Sequence, residues 1–181
     1  MTRASTGFTT WVRRIVAVVA ALCLLASCTS DIPGGGPEEE PLQTKPEAEI
    51  AELARTRAQE IADTVGHPLE NWRTNTSPCL GRRGETAEDG RWTLSGFAGL
   101  PVPPDEQLAT LARVREMWQQ RGYEITEDRV FPSGAGGAVS TRDPSTGITI
   151  SLSTTKDYER VALILAAGCY MPVDGEDPAN Q

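Results

Sequence analysis

The sequence has few of the residue types that most often carry catalysis or bind metals. It contains one histidine, His67, and four cysteines among 181 residues. No two cysteines have the Cys-x-x-Cys spacing of a zinc or redox site. The Gly-x-Ser-x-Gly sequence of serine hydrolases is absent, and the glycine-rich run at 134–137 lacks the Lys-Ser/Thr of a phosphate loop. We therefore predict no catalytic residue, no metal site and no cofactor.

Long hydrophobic runs and lysines are equally scarce. The longest wholly apolar run, residues 15–26, has 12 residues, whereas a helix that crosses the hydrocarbon core of a membrane needs about 20. This run predicts the apolar region of an export signal rather than a transmembrane helix. Only two lysines, Lys45 and Lys156, accompany 15 arginines, a bias that is typical of a GC-rich genome such as that of an actinobacterium.

Residues 1–27 have the order of regions found in export signals. Three arginines, Arg3, Arg13 and Arg14, precede the apolar run, and residues 1–27 contain no acidic residue. The segment leads into Leu25-Ala26-Ser27-Cys28, which resembles the lipobox of bacterial lipoproteins at all four positions. In a lipobox the cysteine thiol receives a diacylglycerol and becomes the new N-terminus after cleavage. The resemblance implies that Cys28 carries fatty-acyl chains such as palmitate at the extracytoplasmic face of the cell membrane.

Two other interpretations of this segment remain open. It could be an uncleaved membrane anchor, or an ordinary secretory peptide in which Cys28 occurs by chance. Arg13-Arg14 suggests twin-arginine export, but the surrounding residues match that motif poorly, so Sec export is favoured. Lipidation would anchor the protein stably, because each buried CH₂ contributes about 0.8 kcal/mol and two chains exceed the marginal binding of one.

The residues after the signal form an acidic chain that begins with a tether. Removing residues 1–27 takes away three of the 17 basic residues and none of the 25 acidic ones, which leaves a formal charge of −11. Nucleic acid and anionic headgroups repel such a chain, so neither is predicted as an electrostatic partner. Residues 28–46 contain four prolines and three consecutive glycines, which predict a flexible tether.

Two cysteines remain once Cys23 leaves with the signal and Cys28 carries the lipid. Cys79 and Cys169 would then lie in an oxidising compartment, where disulfides persist. A bond between them would close a loop of about 90 residues and restrict the unfolded chain by roughly 4–5 kcal/mol on the entropy model. We predict this disulfide; a thiol pair that binds metal or does redox chemistry is the alternative.

Two helices are predicted from apolar residues that recur every three or four positions. The first begins near Pro46 and is ended by Gly66. The second begins at Asp105, whose carboxylate is a suitable N-cap, and ends at Gly122. Its predicted inward face consists of Leu108, Leu111, Ala112, Arg115 and Trp118.

Alternating apolar and polar residues predict a mainly antiparallel sheet, which we expect to pack against the helices. The segments with strand patterns are 92–96, 123–131, 148–153 and 161–170, and a further one begins at 138. We predict an α+β fold, a two-layer sandwich of two helices on a sheet of about four strands in the order α-β-α-β-β-β. The single globular domain is expected at 47–172, with an acidic tail at 173–181.

Aromatic residues are the remaining candidates for a ligand site. Trp92 lies in a strand pattern and Trp118 on a helix face, so both predict core packing. Trp72 lies between polar residues in a less regular segment, so we predict that it lies on a loop and is the weak candidate for ligand binding. The 25 acidic residues leave open a carboxylate pair of the kind glycosidases use, but nothing in the sequence selects one.

Beyond the lipobox, the layout resembles the small two-cysteine lipoproteins of actinobacteria, the LppA-like group. The shared features are the Pro-rich tether, a helix, Cys79, a strand with Trp92, a helix ending in Arg121-Gly122-Tyr123 and a final hairpin closing on Gly168-Cys169. The resemblance implies an envelope lipoprotein rather than a reaction. We predict a non-enzymatic binding or scaffolding domain with an envelope protein as partner. The alternatives are a small-ligand or lipid carrier with a pocket between helices and sheet and, third, a carboxylate-dependent hydrolase.

Replacing the lipobox cysteine tests the anchor directly. Cys28→Ala removes the thiol that accepts the lipid, so the protein is expected to leave the membrane fraction. Cys23→Ala, five residues earlier in the apolar run, is the matched control and should leave the protein in the membrane. Fractionation followed by immunoblotting measures both, and unchanged membrane retention of the Cys28→Ala protein would contradict lipidation at this residue.

Overall fold

The computed structural model describes residues 41–81 and 83–180 as two helices, six strands and one short 3₁₀ helix. The elements in chain order are α1 (Glu47–Val65), β1 (Glu70–Pro78), β2 (Trp92–Leu100), α2 (Gln107–Gln120), β3 (Glu124–Val130), β4 (Gly137–Arg142), β5 (Thr149–Thr154), β6 (Val161–Ala166) and the 3₁₀ helix (Pro178–Asn180). This arrangement confirms the α+β class. The predicted signal at 1–27, the lipidated Cys28 and most of the predicted tether lie outside the described residues.

The first helix has the predicted bounds, whereas the second begins later than predicted. α1 ends at Val65 because Gly66 adopts a left-handed conformation (φ 80°), and its N–H donates to the carbonyl of Ala62 at 2.8 Å. Asp105 is not the N-cap of α2: it lies in a turn, and the helix begins at Gln107 without a side-chain cap hydrogen bond.

The inward face of α2 is also rotated by about one residue from the prediction. Its buried residues are Gln107, Thr110, Leu111, Val114 and Trp118. Arg115 instead pairs with Asp128 of β3 at 2.9 Å. Gln107 is completely buried, and its amide donates to the carbonyls of Val102 and Tyr158 at 3.0 and 2.9 Å. These hydrogen bonds allow a polar residue to take the inward position that the sequence pattern assigned to Leu108.

The sheet has six antiparallel strands in the order β1-β2-β6-β5-β4-β3. The predicted count of about four strands is therefore wrong, and so is the predicted order of elements along the chain, which is α-β-β-α-β-β-β-β rather than α-β-α-β-β-β. The main omission is β1, a strand whose sequence lacks an apolar alternation because it lies at the edge and is largely exposed. After α2 the chain forms four separate strands, β3, β4, β5 and β6, whereas the predicted order has three strands there.

Both helices lie on one face of the sheet, and the core fills the space between them. α1 contacts β2 and β6, α2 contacts β3 and β4, and the two helices contact each other. Strand residues that point towards the helices are buried, as Leu163 and Leu165 are in β6, whereas Ile164 between them is 43% exposed. The sheet therefore has one face in the core and one face without a helix layer in the part of the chain that the structure describes.

The two ends of the described chain pack against the domain. The backbone of Lys45 donates to the carbonyl of Met171 at 3.0 Å, and the backbone of Met171 donates to the carbonyl of Gln43 at 2.9 Å. The acidic C-terminal segment also packs: a carboxylate oxygen of Glu176 accepts a hydrogen bond from the backbone of Glu47 at 3.0 Å. Pro178 is buried, and the 3₁₀ helix contacts β1 and β2.

A buried carboxylate ties α1 to the turn between β4 and β5. Asp143 is completely buried and accepts hydrogen bonds from Nε of Arg57 at 2.8 Å and from the backbone and hydroxyl of Ser145 at 2.8 and 2.6 Å. Glu60 extends the network, since it pairs with Arg57 and with Arg121 at the end of α2, each at 3.0 Å. Burial opposes ionisation of Asp143, but the hydrogen bonds and the Arg57 charge outweigh it, so the pKa of Asp143 lies below its ordinary value of 3.8.

Asp143→Asn is expected to lower the free energy of unfolding by about 2–3 kcal/mol at pH 7, because it leaves Arg57 without its buried partner. Since the pKa of Asp143 is lowered in the folded protein, its contribution is complete above the unfolded pKa of about 4 and is lost as the pH falls through the folded value. The free energies of unfolding of the Asp143→Asn variant and the unmodified protein, measured by urea unfolding, should therefore differ less at pH 3 than at pH 7.

Asp128→Asn is the matched control, because it removes an exposed ion pair with Arg115 that contributes under about 1 kcal/mol. Equal losses for the two variants, or a loss at Asp143 that does not depend on pH, would contradict the assigned role.

Candidate functional site

The candidate site is the sheet face opposite the helices, which we call the outer face. The strand register places Arg73, Phe97, Ile164, Ser151, Ser140 and Glu127 in one row across all six strands. Ile164 lies at the middle of this row on β6, an inner strand, and is among the few large apolar residues exposed in the described chain. With Phe97, Ala162 and Ala166 beside it, Ile164 forms an apolar patch on a face that no helix of the described residues covers, and a contiguous exposed apolar patch marks a candidate contact surface.

Apart from Phe97 on β2, the side chains next to Ile164 on the outer face are small, so the surface around it is flat. The neighbouring positions on β6 and β5 are Ala162, Ala166, Thr149, Ser151 and Ser153, and β2 contributes Ser95 and Gly99. None of these side chains is longer than threonine. Another surface can therefore approach the backbone of the inner strands closely.

Two arginines border the outer face near β1 and β2. The guanidinium of Arg73 lies 5.1 Å from the centre of the Phe97 ring, which is a cation–π distance. The side chain of Arg160 crosses Gly99, where a Cβ atom would lie 3.2 Å from its Cδ. Together with Ile164 these residues line a shallow depression of about 240 Å³. Arg160 also lies 3.8 Å from a carboxylate oxygen of Glu70.

The opposite border of the outer face, near β3 and β4, carries a hydrogen-bonded carboxylate. The hydroxyl of Ser140 donates to Glu127 at 3.0 Å and lies 2.9 Å from the hydroxyl of Ser151. Arg129 donates to the other oxygen of Glu127. The hydrogen bonds from Arg129 and then from Ser140 lower the pKa of Glu127 below its ordinary value, so it carries a negative charge at neutral pH.

Trp72, the weak candidate for ligand binding, lies on the other face of the sheet. It is part of strand β1 rather than a loop, so that part of the prediction is wrong. Its ring is 2.7 Å from the position that a Cβ atom on Gly96 would take, and the guanidinium of Arg55 in α1 lies 5.7 Å from the ring centre. Trp72 therefore packs between α1 and the sheet, away from the outer face.

The predicted disulfide is confirmed. Cys79, which follows β1, is bonded to Cys169, which follows β6, with their Cα atoms 6.1 Å apart. Next to it, Trp92 and Tyr170 exchange two backbone hydrogen bonds of 2.9 Å, and their ring centres lie 5.6 Å apart. The bond thus fastens one end of the sheet where three strands meet.

Replacing both Cys79 and Cys169 by serine is expected to reduce stability by about 4 kcal/mol, because the unfolded chain regains the freedom of a long loop. For a domain of this size that loss corresponds to a fall in Tm of about 10 °C. Differential scanning calorimetry measures the Tm. As a control, reductant should lower the Tm of the unmodified protein to that of the variant and should leave the Tm of the variant unchanged. Equal Tm values without reductant would contradict a stabilising bond.

Among residues 41–81 and 83–180, no group of three or more His, Cys, Asp or Glu side chains is placed to hold a metal ion. No helix in the same residues combines the length and apolar character that crossing a membrane requires. Comparisons with family models, curated proteins and solved structures find no match for this chain. The functional argument therefore depends on its own residues.

Proposed function

We propose that this chain is a lipid-anchored, non-enzymatic binding domain of the cell envelope and that the outer face is its binding surface. The observation that carries the proposal is Ile164, which is 43% exposed at the centre of the sheet face on which neither described helix lies. An antiparallel sheet tolerates one solvated face, but such a face normally carries polar residues. Phe97, Ala162 and Ala166 extend the apolar character around Ile164.

The packing between the helices and the inner face of the sheet favours binding at the surface over binding inside the domain. A carrier needs a pocket between the helices and the sheet. That space is filled by buried side chains, among which Trp92, Trp118, Leu94 and Leu163 are at most 1% exposed. Trp72, the weak candidate for ligand binding, contacts Arg55 of α1 and lines no exposed groove on the outer face.

The proposed location follows from the lipobox at Leu25–Cys28 and from the point where the chain joins the domain. Lipidation at Cys28 would hold the chain at the extracytoplasmic face of the cell membrane, as in the actinobacterial lipoproteins that its layout resembles. Gln43 and Lys45 pair with Met171, beside the Trp92–Tyr170 bridge. The described end of the predicted tether, residues 41–46, therefore meets the domain at the disulfide end of the sheet.

Photo-crosslinking in intact cells tests the proposed surface. A photoreactive phenylalanine analogue in place of Phe97 should form an adduct with an envelope component, whereas the same analogue in place of the exposed Glu52 on α1 should not. Ile164→Asp, which places a charge at the centre of the apolar patch, is expected to abolish the adduct formed from position 97.

Leu80→Asp is the matched control for this substitution, since Leu80 is 67% exposed but lies in the loop after β1, outside the outer face. The Tm of each variant verifies folding. Equal adduct yields from positions 97 and 52, or no effect of Ile164→Asp, would contradict binding at the outer face.

A further inference from the structure

We propose, building on the proposed function of the outer face, that its partner is a second copy of this chain. The two copies would pack sheet against sheet about a two-fold axis that runs parallel to the strands. Three properties of the outer face support this occupant: the charges at its two borders, the distribution of large and small side chains across it, and the end of the sheet at which the chain joins the domain.

The symmetry determines which strands face each other. When two copies of one sheet meet face to face, the two-fold axis lies in the plane between them. If the strands of the two sheets are aligned, as in most sandwiches, this axis runs either along or across the strands. An axis along the strands, at the centre of the order β1-β2-β6-β5-β4-β3, places β1 opposite β3 of the partner and β6 opposite β5. Each row of the outer face then meets the same row of the other copy.

The charges at the borders are complementary in this arrangement. In the central row, Arg73 of β1 faces the partner's Glu127 of β3. In the next outward row, which contains Gly99 and Ala162, β1 carries an acidic residue and β3 carries a basic one. Glu70 of β1 therefore faces the partner's Arg129 of β3. An axis across the strands would instead bring Arg73 opposite the partner's Arg73, which like-charge repulsion disfavours.

Large and small side chains are complementary as well. The large residues of the central row, Phe97 and Ile164, lie on β2 and β6, whereas Ser140 and Ser151 occupy the same row on β4 and β5. In the proposed pair each large side chain faces a serine of the other copy. Aligned sheets pack about 10 Å apart with interdigitated side chains, and the large residues of one half of the row fit against the small residues of the other half.

The size of the outer face is adequate for a dimer. Six strands at ~4.8 Å spacing, with about six residues per strand, give roughly 29 Å by 20 Å. This area of roughly 600 Å² in projection approaches the ~800 Å² that each partner buries in a standard interface once side-chain relief is added.

The position of the chain's connection to the domain agrees with the same axis. The residues that lead into α1 pair with Met171 at the disulfide end of the sheet. A two-fold axis along the strands keeps this end of both copies on the same side, so two lipidated chains could insert into one membrane. Anchoring in a shared membrane also raises the effective concentration of each copy for the other.

A charge-exchange experiment in cells tests the pair with the full chain. The photoreactive analogue at position 97 should give an adduct of twice the chain mass. Arg73→Glu alone and Glu127→Arg alone should each reduce its yield about ten-fold, because each variant repels its own copy at two symmetric positions. Co-expression of the two single variants should restore the yield, since each mixed pair has opposite charges at both contacts.

The possible results separate this proposal from the function on which it rests. A double-mass adduct that is lost in the single variants and restored by co-expression supports the two-fold pair. An adduct with a different protein that Ile164→Asp abolishes overturns self-association but supports binding at the outer face. A double-mass adduct that ignores the charge variants, or appears equally from position 52, overturns the proposed arrangement, and no adduct at all overturns both proposals.

Discussion

The antiparallel pairing of β6 with β2 on one side and β5 on the other is the constraint on which the rest of this structure depends. β6 joins the strands that precede α2 to the hairpins that follow it. It contributes Val161, Leu163 and Leu165 to the core and Ala162, Ile164 and Ala166 to the outer face. It also places Cys169 and Tyr170 beside Cys79 and Trp92. Core, cross-link and candidate surface therefore all follow from the position of one strand.

The edges of the sheet are protected in ways that direct association to its face. β3 carries four charged residues and has a register shift between Ile125 and Glu127. β1 has a similar irregularity after Glu70, where Asn71 adopts a positive φ of 52°. Charges and bulges at exposed edges disfavour the addition of another strand. The flat, uncharged centre around Ile164 has no such protection.

Local patterns were sufficient for the elements that depend on local interactions. The apolar repeat and Gly66 defined α1. The disulfide joins residues far apart in the chain, and it could be predicted because the elimination of two cysteines left a single pair. β1 could not be predicted, because an edge strand needs no apolar alternation. The face of α2 depended on hydrogen bonds from Gln107 to two distant segments. The outer face could not be predicted either, because the wholly apolar β6 shows no alternation of apolar and polar residues. Only its pairing with β5, where serines alternate with apolar residues, shows that Ile164 points outward.

The location of β6 in the chain has a consequence for the order in which the protein can mature. β6, at the middle of the sheet, comes after the other five described strands in the chain, and the 3₁₀ helix that contacts β1 and β2 follows it. A chain that emerges N-terminus first, from a ribosome or a translocation channel, lacks the strand that unites its two halves until nearly all of it is free. The complete sheet can therefore form only after β6 has been released, whereas the β1-β2 hairpin and the strands β3, β4 and β5 are available earlier.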